Sequence, residues 1–421
     1  MNKTRQLIKV CIIAIIILLI VTGSIWRPND QIDMVKIFTL QHEFDFFGWT
    51  INSLIQKLHS SSLGSVRYLN DAQKRQILID IFRLQDEANQ ISDSIETILS
   101  DPNYENPDEK ILTLTQELSI KESELKQQAI LAEGVVQDYV SQALKELGVV
   151  RSGQPFPPVL YHITDLPKNL IISPRHIIRQ EKSISLYSDL TPLEIVTLEK
   201  NVEDLVDYSA LVVTVGGVST YPSMVIRTSG LPYLLETVAH EWIHHYLFFR
   251  PLGFNFSSSP QLRTMNETTA NIAGEEISQY IMRKYFLDLI KSPQPYGSYE
   301  VFYHSFSDDD PVPFNFQKEM YHTRIQVNEM LEENKIEEAE AFMEERRIFF
   351  WKNGYQIRRL NQAYFAFHGA YADRPFSAAG ADPVGEDVRS LRYRSRSLAE
   401  FLNTISWMSS YETLKSMVRS Y

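Results

Sequence analysis

The sequence predicts an α+β fold, predominantly helical, in which a small sheet precedes a long run of helices. Three observations predict it. Apolar residues recur at heptad spacing in two segments between residues 77 and 139. Short β-rich runs bounded by Gly and Pro fill 159–228. Nearly everything after residue 230 carries helical periodicity. Spacings of three and four mark helices, whereas short runs between turn formers mark strands.

The chain has 421 residues, 44% hydrophobic and 22% charged, enough for one large domain plus an accessory one. A net charge of -12 without a long basic run excludes nucleic acid as a partner, since phosphate binding needs clustered positive charge. The single cysteine, Cys11, lies in an apolar run. That excludes intramolecular disulfides, Cys-based zinc sites and catalytic thiols in the remainder.

Residues 1–27 read as a membrane anchor or signal segment. Lys3, Arg5 and Lys9 precede an unbroken apolar run from Val10 to Val21, extended to Trp26. As a helix this run is about 25 Å long, close to the roughly 30 Å hydrocarbon core. Positive charge before the run predicts a single-pass membrane protein with its N-terminus in the cytoplasm and the remainder extracytoplasmic. With cleavage near Val21-Thr22-Gly23 the chain would instead be secreted.

Residues 28–147 read as a helical hairpin with coiled-coil character. The first seam is Ile77, Ile81, Leu84, Ala88, Ile91, Ile95 and Ile98; the second runs from Ile111 and Leu114 through Leu125 and Ala132 to Tyr139. Lys121 and Gln128 interrupt the second seam, and Pro102 and Pro107 separate the two. Two helices joined by a short break form an antiparallel pair. The pair either packs on its own protein or offers a surface to a helical partner at 60–147.

Residues 148–421 read as the third region, opening on the Gly- and Pro-rich stretch Gly148–Pro158. Candidate strands are Val159–Thr164, Leu170–Ile172, Ser183–Tyr187 and Leu211–Val215. Thr191–Val206 is a helix with proline at an early position. Ser219–Thr228 is an edge strand, because Pro222 lacks the donor an interior strand needs.

The chemistry centres on His240-Glu241-Trp242-Ile243-His244, in an apolar stretch free of Gly and Pro from 233 to 249. On a helix, residues four apart share a face, so both imidazoles can reach one ion at about 2.0–2.1 Å. Glu241 is rotated about one hundred degrees away, which leaves it beside a metal-activated water as general base. A catalytic zinc takes a third protein ligand. The helix predicted over 261–286 follows a loop at 250–260 and returns Glu267 toward the histidines. Glu275, Glu276 and Asp308–Asp310 are the other acidic candidates. Asn271, one turn beyond Glu267, is a candidate partner for a ligating imidazole.

An HExxH helix followed by Asn266-Glu267-Thr268-Thr269-Ala270 resembles the gluzincin clan of zinc peptidases. The resemblance implies one Zn2+ ion held by His240, His244 and Glu267, with Glu241 as base, in a zincin-like domain. The segment Arg358–Tyr371 is similar to a late signature of a bacterial family of predicted zinc aminopeptidases, and that match places Tyr371 at its closing tyrosine. Asn361, Tyr364, His368 and Tyr371 fall at helical spacings. Tyr371, with His368 as second choice, is the expected oxyanion donor, a role typically worth about 10²–10³ in rate.

Zincins hold extended peptides against an edge strand, so the expected substrate is a peptide or protein. The stretch Val215–Tyr221 lacks the acidic residue that would capture a free amine, which leaves aminopeptidase and endopeptidase both open. Two competing readings are a membrane-anchored helical interaction protein with a non-catalytic zinc site, and a zinc hydrolase of another amide. Glu241 discriminates against the first, because a purely structural zinc site closes with four ligands and has no use for a base.

Overall fold

The computed structural model describes residues 31–100, 107–150, 153–228, 230–290, 314–371 and 383–419. The molecule is mostly helical with two small sheets, an α+β fold. Two short helical turns, Gln31–Met34 and Lys36–Thr39, lead into helix α1 (Phe46–Leu63). The expectation of a single-pass membrane protein is corrected. Among the described residues no helix is long and apolar enough to cross a membrane. The run Val10–Trp26 that carried the expectation lies outside them.

Helices α2 (Asp71–Ser100) and α3 (Pro107–Glu146) pack against each other. Ion pairs Lys74–Asp138 at 2.7 Å and Lys121–Glu87 at 2.8 Å set them antiparallel. Lys121, which interrupts the seam, thus finds its counter-charge across the pair. The lower half of the hairpin does not stand apart. Leu78, Val135, Tyr139 and Leu144 share one apolar core with Leu235, Val238, Ile277 and Phe286 of the later helices. Buried Glu133 of α3 ties the pair to the first sheet strand, accepting from the Ile163 backbone N–H at 2.8 Å and bonding Lys57 of α1.

The strands are β1 (Tyr161–Ile163), β2 (Lys168–Pro174), β3 (Lys182–Leu186), β4 (Tyr208–Val213), β5 (Gly217–Val218) and β6 (Ser223–Val225). They form two three-stranded sheets rather than one. In the order β3-β2-β4 all neighbours are antiparallel. This sheet is covered on both faces, and alternation along β2 divides its residues between them. Leu170 and Ile172 face helix α4 (Pro192–Leu205), whereas Ile171 joins the core built with Met343 and Phe365. Thr191 starts α4 with a capping box closed by Glu194.

The second sheet has the order β1-β6-β5, with β1 parallel and β5 antiparallel to β6. Here the predicted edge strand 219–228 is corrected. Ser223–Val225 is the central strand, and Gly217–Val218 is an edge. The physical reason is Pro222, which ends pairing between the two. Thr220 folds back over it, its hydroxyl donating to the Pro222 carbonyl at 2.8 Å.

The remaining chain is helical: α5 (Leu231–Phe248), α6 (Pro260–Tyr285), α7 (Phe316–Glu332), α8 (Ile336–Lys352), α9 (Gln362–His368), α10 (Pro383–Arg394), α11 (Leu398–Ile405) and α12 (Tyr411–Arg419). The predicted loop after α5 contains a short helical turn, Pro251–Phe254.

Candidate metal centre

Helices α5 and α6 build the site. Both begin with a proline in the first turn, and Ser259 caps α6 by accepting from the Leu262 N–H. They cross antiparallel and unusually close at Gly274. A Cβ on Gly274 would stand 2.8 Å from the Glu236 carbonyl oxygen and 3.1 Å from the His240 nitrogen. The absence of a side chain therefore lets α6 lie directly under the motif turn.

This crossing brings His240, His244 and Glu267 together. His240 Nε2 and His244 Nε2 are 3.0 Å apart, and each is 3.5 Å from Glu267 Oε2. The triangle has a circumradius of about 1.9 Å, just under the roughly 2.0–2.2 Å that zinc makes to nitrogen and oxygen. One ion can therefore reach all three atoms while standing off their plane, which leaves one side open. These three residues are the group among the described residues that could hold a metal ion. Glu267 Oε2 is buried and accepts no hydrogen bond, as fits an atom kept for a cation. The alternative acids are engaged elsewhere or lie outside the description. Glu276 pairs with Arg392 at 2.5 Å, Glu275 accepts from Gln279 at 3.0 Å, and Asp308–Asp310 lie outside the described residues.

The imidazole of His244 is oriented by Asn266, not by Asn271. His244 Nδ1 is 2.8 Å from Asn266 Oδ1, while Asn266 Nδ2 donates to the Leu252 carbonyl at 3.3 Å. That second bond fixes the amide with its oxygen toward the ring. His244 therefore donates from Nδ1, which leaves Nε2 directed at His240 and Glu267. The reason for the difference lies in the crossing: in an antiparallel pair the later histidine meets the earlier part of α6. Asn271 is displaced toward the start of α5.

Glu241 lies under the edge strand, and the two are in direct contact through Gly217. A Cβ on Gly217 would stand 2.3 Å from Glu241 Oε1. The carboxyl is buried, and burial, with the Glu267 carboxylate adding to it, pushes its pKa up to about 8 in the metal-free protein. At Glu267 burial acts upward, but His244 and His240 hold the carboxyl well below the usual carboxylate range. At His244 burial acts downward, and the Glu267 carboxylate overrides it, raising the ring to about 9. The three side chains thus attract one another.

His245 is not idle. Its Nε2 donates to the Thr220 carbonyl at 2.9 Å and its ring meets Tyr221 edge-on, so it pins the β5–β6 loop to α5. Gly274, His245 and the orienting role of Asn266 are the contributions that sequence reasoning missed. The signal at Gly274 is a residue without a side chain inside a long helix.

The late segment is only partly as expected. Asn361 caps α9, accepting from the Tyr364 N–H at 2.9 Å, and donates to the Ala210 carbonyl at 3.0 Å; it is not directed at the histidines. Tyr364 and Phe365 are core residues, and the His368 ring packs at a tilt against Tyr364, centroids 4.4 Å apart. Tyr371 ends a 3-10 turn, Gly369–Tyr371, that packs against α6. Its side chain lies outside what the structure describes.

Comparison with protein-family models, with curated proteins and with solved structures finds no match.

Proposed function

We propose that this chain is a zinc-dependent hydrolase of peptide bonds, of the gluzincin type, with His240, His244 and Glu267 holding one Zn2+ ion and Glu241 as general base. The observation that carries the reading is the largely buried triangle of His240, His244 and Glu267 atoms with a carboxylate that is not one of its corners, directly below an edge strand. A structural site needs no such fourth group. The order of small sheet, motif helix and following helix with Glu267 supports a zincin-like reading of this domain.

Bound zinc would supply Lewis acidity toward a water and a scissile carbonyl. The chain's residues do the rest. Gly217 and Val218 offer an open strand edge on which an extended peptide can add, and the missing side chain at 217 brings that peptide over Glu241. Glu241 takes the proton of the attacking water and returns it to the leaving nitrogen, as a positioned carboxylate can. Asn266 holds His244 in the tautomer that ligates. Tyr371, at the end of the turn beside α6, is our candidate oxyanion donor.

Metal analysis of the purified chain, beside assays of Glu241→Gln and Glu267→Ala on a peptide library, tests the reading. Wild type is expected to bind one zinc and cleave. Glu241→Gln should keep the ion and lose cleavage, and Glu267→Ala should lose the ion. A wild type without zinc, or full cleavage by Glu241→Gln, overturns it.

A further inference from the structure

Beside the candidate metal centre lies a cavity of about 360 Å³, lined by the start of α6 and by parts of α7, α9 and the loop before β3. Its charge departs from the rest of the molecule. The chain carries -12 overall. Among the described residues lining this cavity are Arg179, Arg263 and Arg324, and none is Asp or Glu. Ser258 and Ser259, at the N-terminus of the 26-residue helix α6, lie on its wall, where the helix dipole adds positive potential.

Arg263 is the decisive residue. It is 9% exposed, yet its partners are neutral: it donates to the Gln180 side-chain oxygen and to the Ala366 carbonyl. Its Nε is buried and has no acceptor. A guanidinium drawn out of water is ordinarily matched by a carboxylate, as Glu319 matches half-buried Arg346 and Glu276 matches half-buried Arg392 in this same chain. Arg179 has such a match in Glu181. Arg263 has none among the described residues.

The position matters as much as the charge. Arg263 stands four residues before the ligand Glu267 on one helix face, about 6 Å along the axis. That is the length of about two residues of extended peptide. Phe256 joins the two places, its ring lying 6.2 Å from the His244 ring and 5.9 Å from the Arg263 guanidinium.

We propose that this cavity binds a carboxylate of the substrate, held by Arg263 and supported by Arg324, so that the enzyme selects peptides bearing a negative group within about two residues of the cleaved bond. The inference rests on the hydrolase reading for its ligand being a substrate; the anion site itself stands on Arg263. A chain terminus and an acidic side chain present the same group.

The test is binding to the full chain, measured with and without chelator so that a metal cannot act as the anion site. The probes are N-acetyl-trialanine with a free terminus, its C-terminal amide, and the amidated N-acetyl-Ala-Glu-Ala. At least one carboxylate probe should bind about tenfold or more tighter than the neutral amide under both conditions, as expected for a charge-assisted bidentate contact. Preference for the first probe identifies a chain terminus as the source; preference for the third identifies an acidic side chain. Arg263→Gln should abolish the preference and Arg263→Lys restore part of it. Should Arg263→Gln fail to fold, Arg324→Gln should still weaken the preference several-fold, and in wild type it should shrink with added salt. Equal affinity for all three probes, a preference intact in Arg263→Gln, or one indifferent to both Arg324→Gln and salt overturns the proposal. Carboxylate binding without hydrolysis would sink the hydrolase reading alone; hydrolysis without carboxylate preference would sink the pocket alone.

Discussion

Replacing Gly217 by alanine probes the junction between the edge strand and Glu241, the proposed base. The added methyl would stand 2.3 Å from Glu241 Oε1, 2.9 Å from its Cδ and 3.0 Å from its Cγ. Ordinary contact begins at 3.4 Å, so the carboxylate must retreat by about 1.1 Å. The backbone at 217 is not in the left-handed region, so the strand itself accepts alanine. What yields is a side-chain torsion, which costs about 0.5–1.5 kcal/mol when driven off its rotamer. A displacement of about 1 Å in a reacting group costs about 10²-fold in rate, or about 2.7 kcal/mol of transition-state stabilisation. The variant should therefore fold with a melting temperature only a few degrees lower, keep its zinc, and lose about two orders of magnitude in kcat/KM on a cleavable peptide. Gly216→Ala is the control, because its methyl would meet the Tyr233 hydroxyl at 2.4 Å rather than the base. If Gly217→Ala retained activity within about threefold of wild type, the placement of Glu241 under the edge strand would be refuted.

Other outcomes follow from the same geometry. Gly274→Ala drives a methyl against the Glu236 carbonyl at 2.8 Å, backbone that cannot swing aside; it should cost about 1–3 kcal/mol in denaturant unfolding and weaken metal binding as the helices separate. Asn266→Ala leaves His244 Nδ1 without its acceptor and should lower zinc affinity about 10–100-fold in competition with a chromophoric chelator. Burial, with the charge of Arg263, lowers His368 from 6.5 to about 4. The folded state thus resists protonation that the unfolded chain accepts: stability is full above about pH 6.5 and falls as pH drops toward about 4, by at most roughly 3 kcal/mol. Urea titrations across that span should show the slope, and His368→Gln should flatten it.

The parts legible in the sequence are those whose physics is local. Heptad spacing marks α2 and α3 because a two-helix seam repeats every seven residues along one segment. His240 and His244 declare themselves because four residues make one turn. Glu267 follows once the chain is seen to return. What stayed hidden depends on how segments far apart meet. The edge at Gly217–Val218 is two residues long, too short for alternation to register, and one of the two has no side chain. Asn266 rather than Asn271 meets His244 because the helices cross antiparallel, a fact no single helix encodes. The cationic cavity draws Arg179, Arg263 and Arg324 from three separate elements, and no run of basic residues announces it.

Glu133 gives the helical hairpin a different standing from that of an appendage. Its carboxylate belongs to α3, yet it accepts from the N–H of Ile163 in β1, two strands from the edge above Glu241. Cutting the chain at residue 148 would remove that acceptor and strip the apolar cover from Ile277 and Phe286. The fragment left behind would not be a smaller folded unit but an incomplete core. Modular dissection, in which the N-terminal third is deleted to isolate the chemistry, is therefore the wrong way to simplify this molecule; shortening the distal tip of the hairpin, beyond the shared core, is the cut its architecture permits.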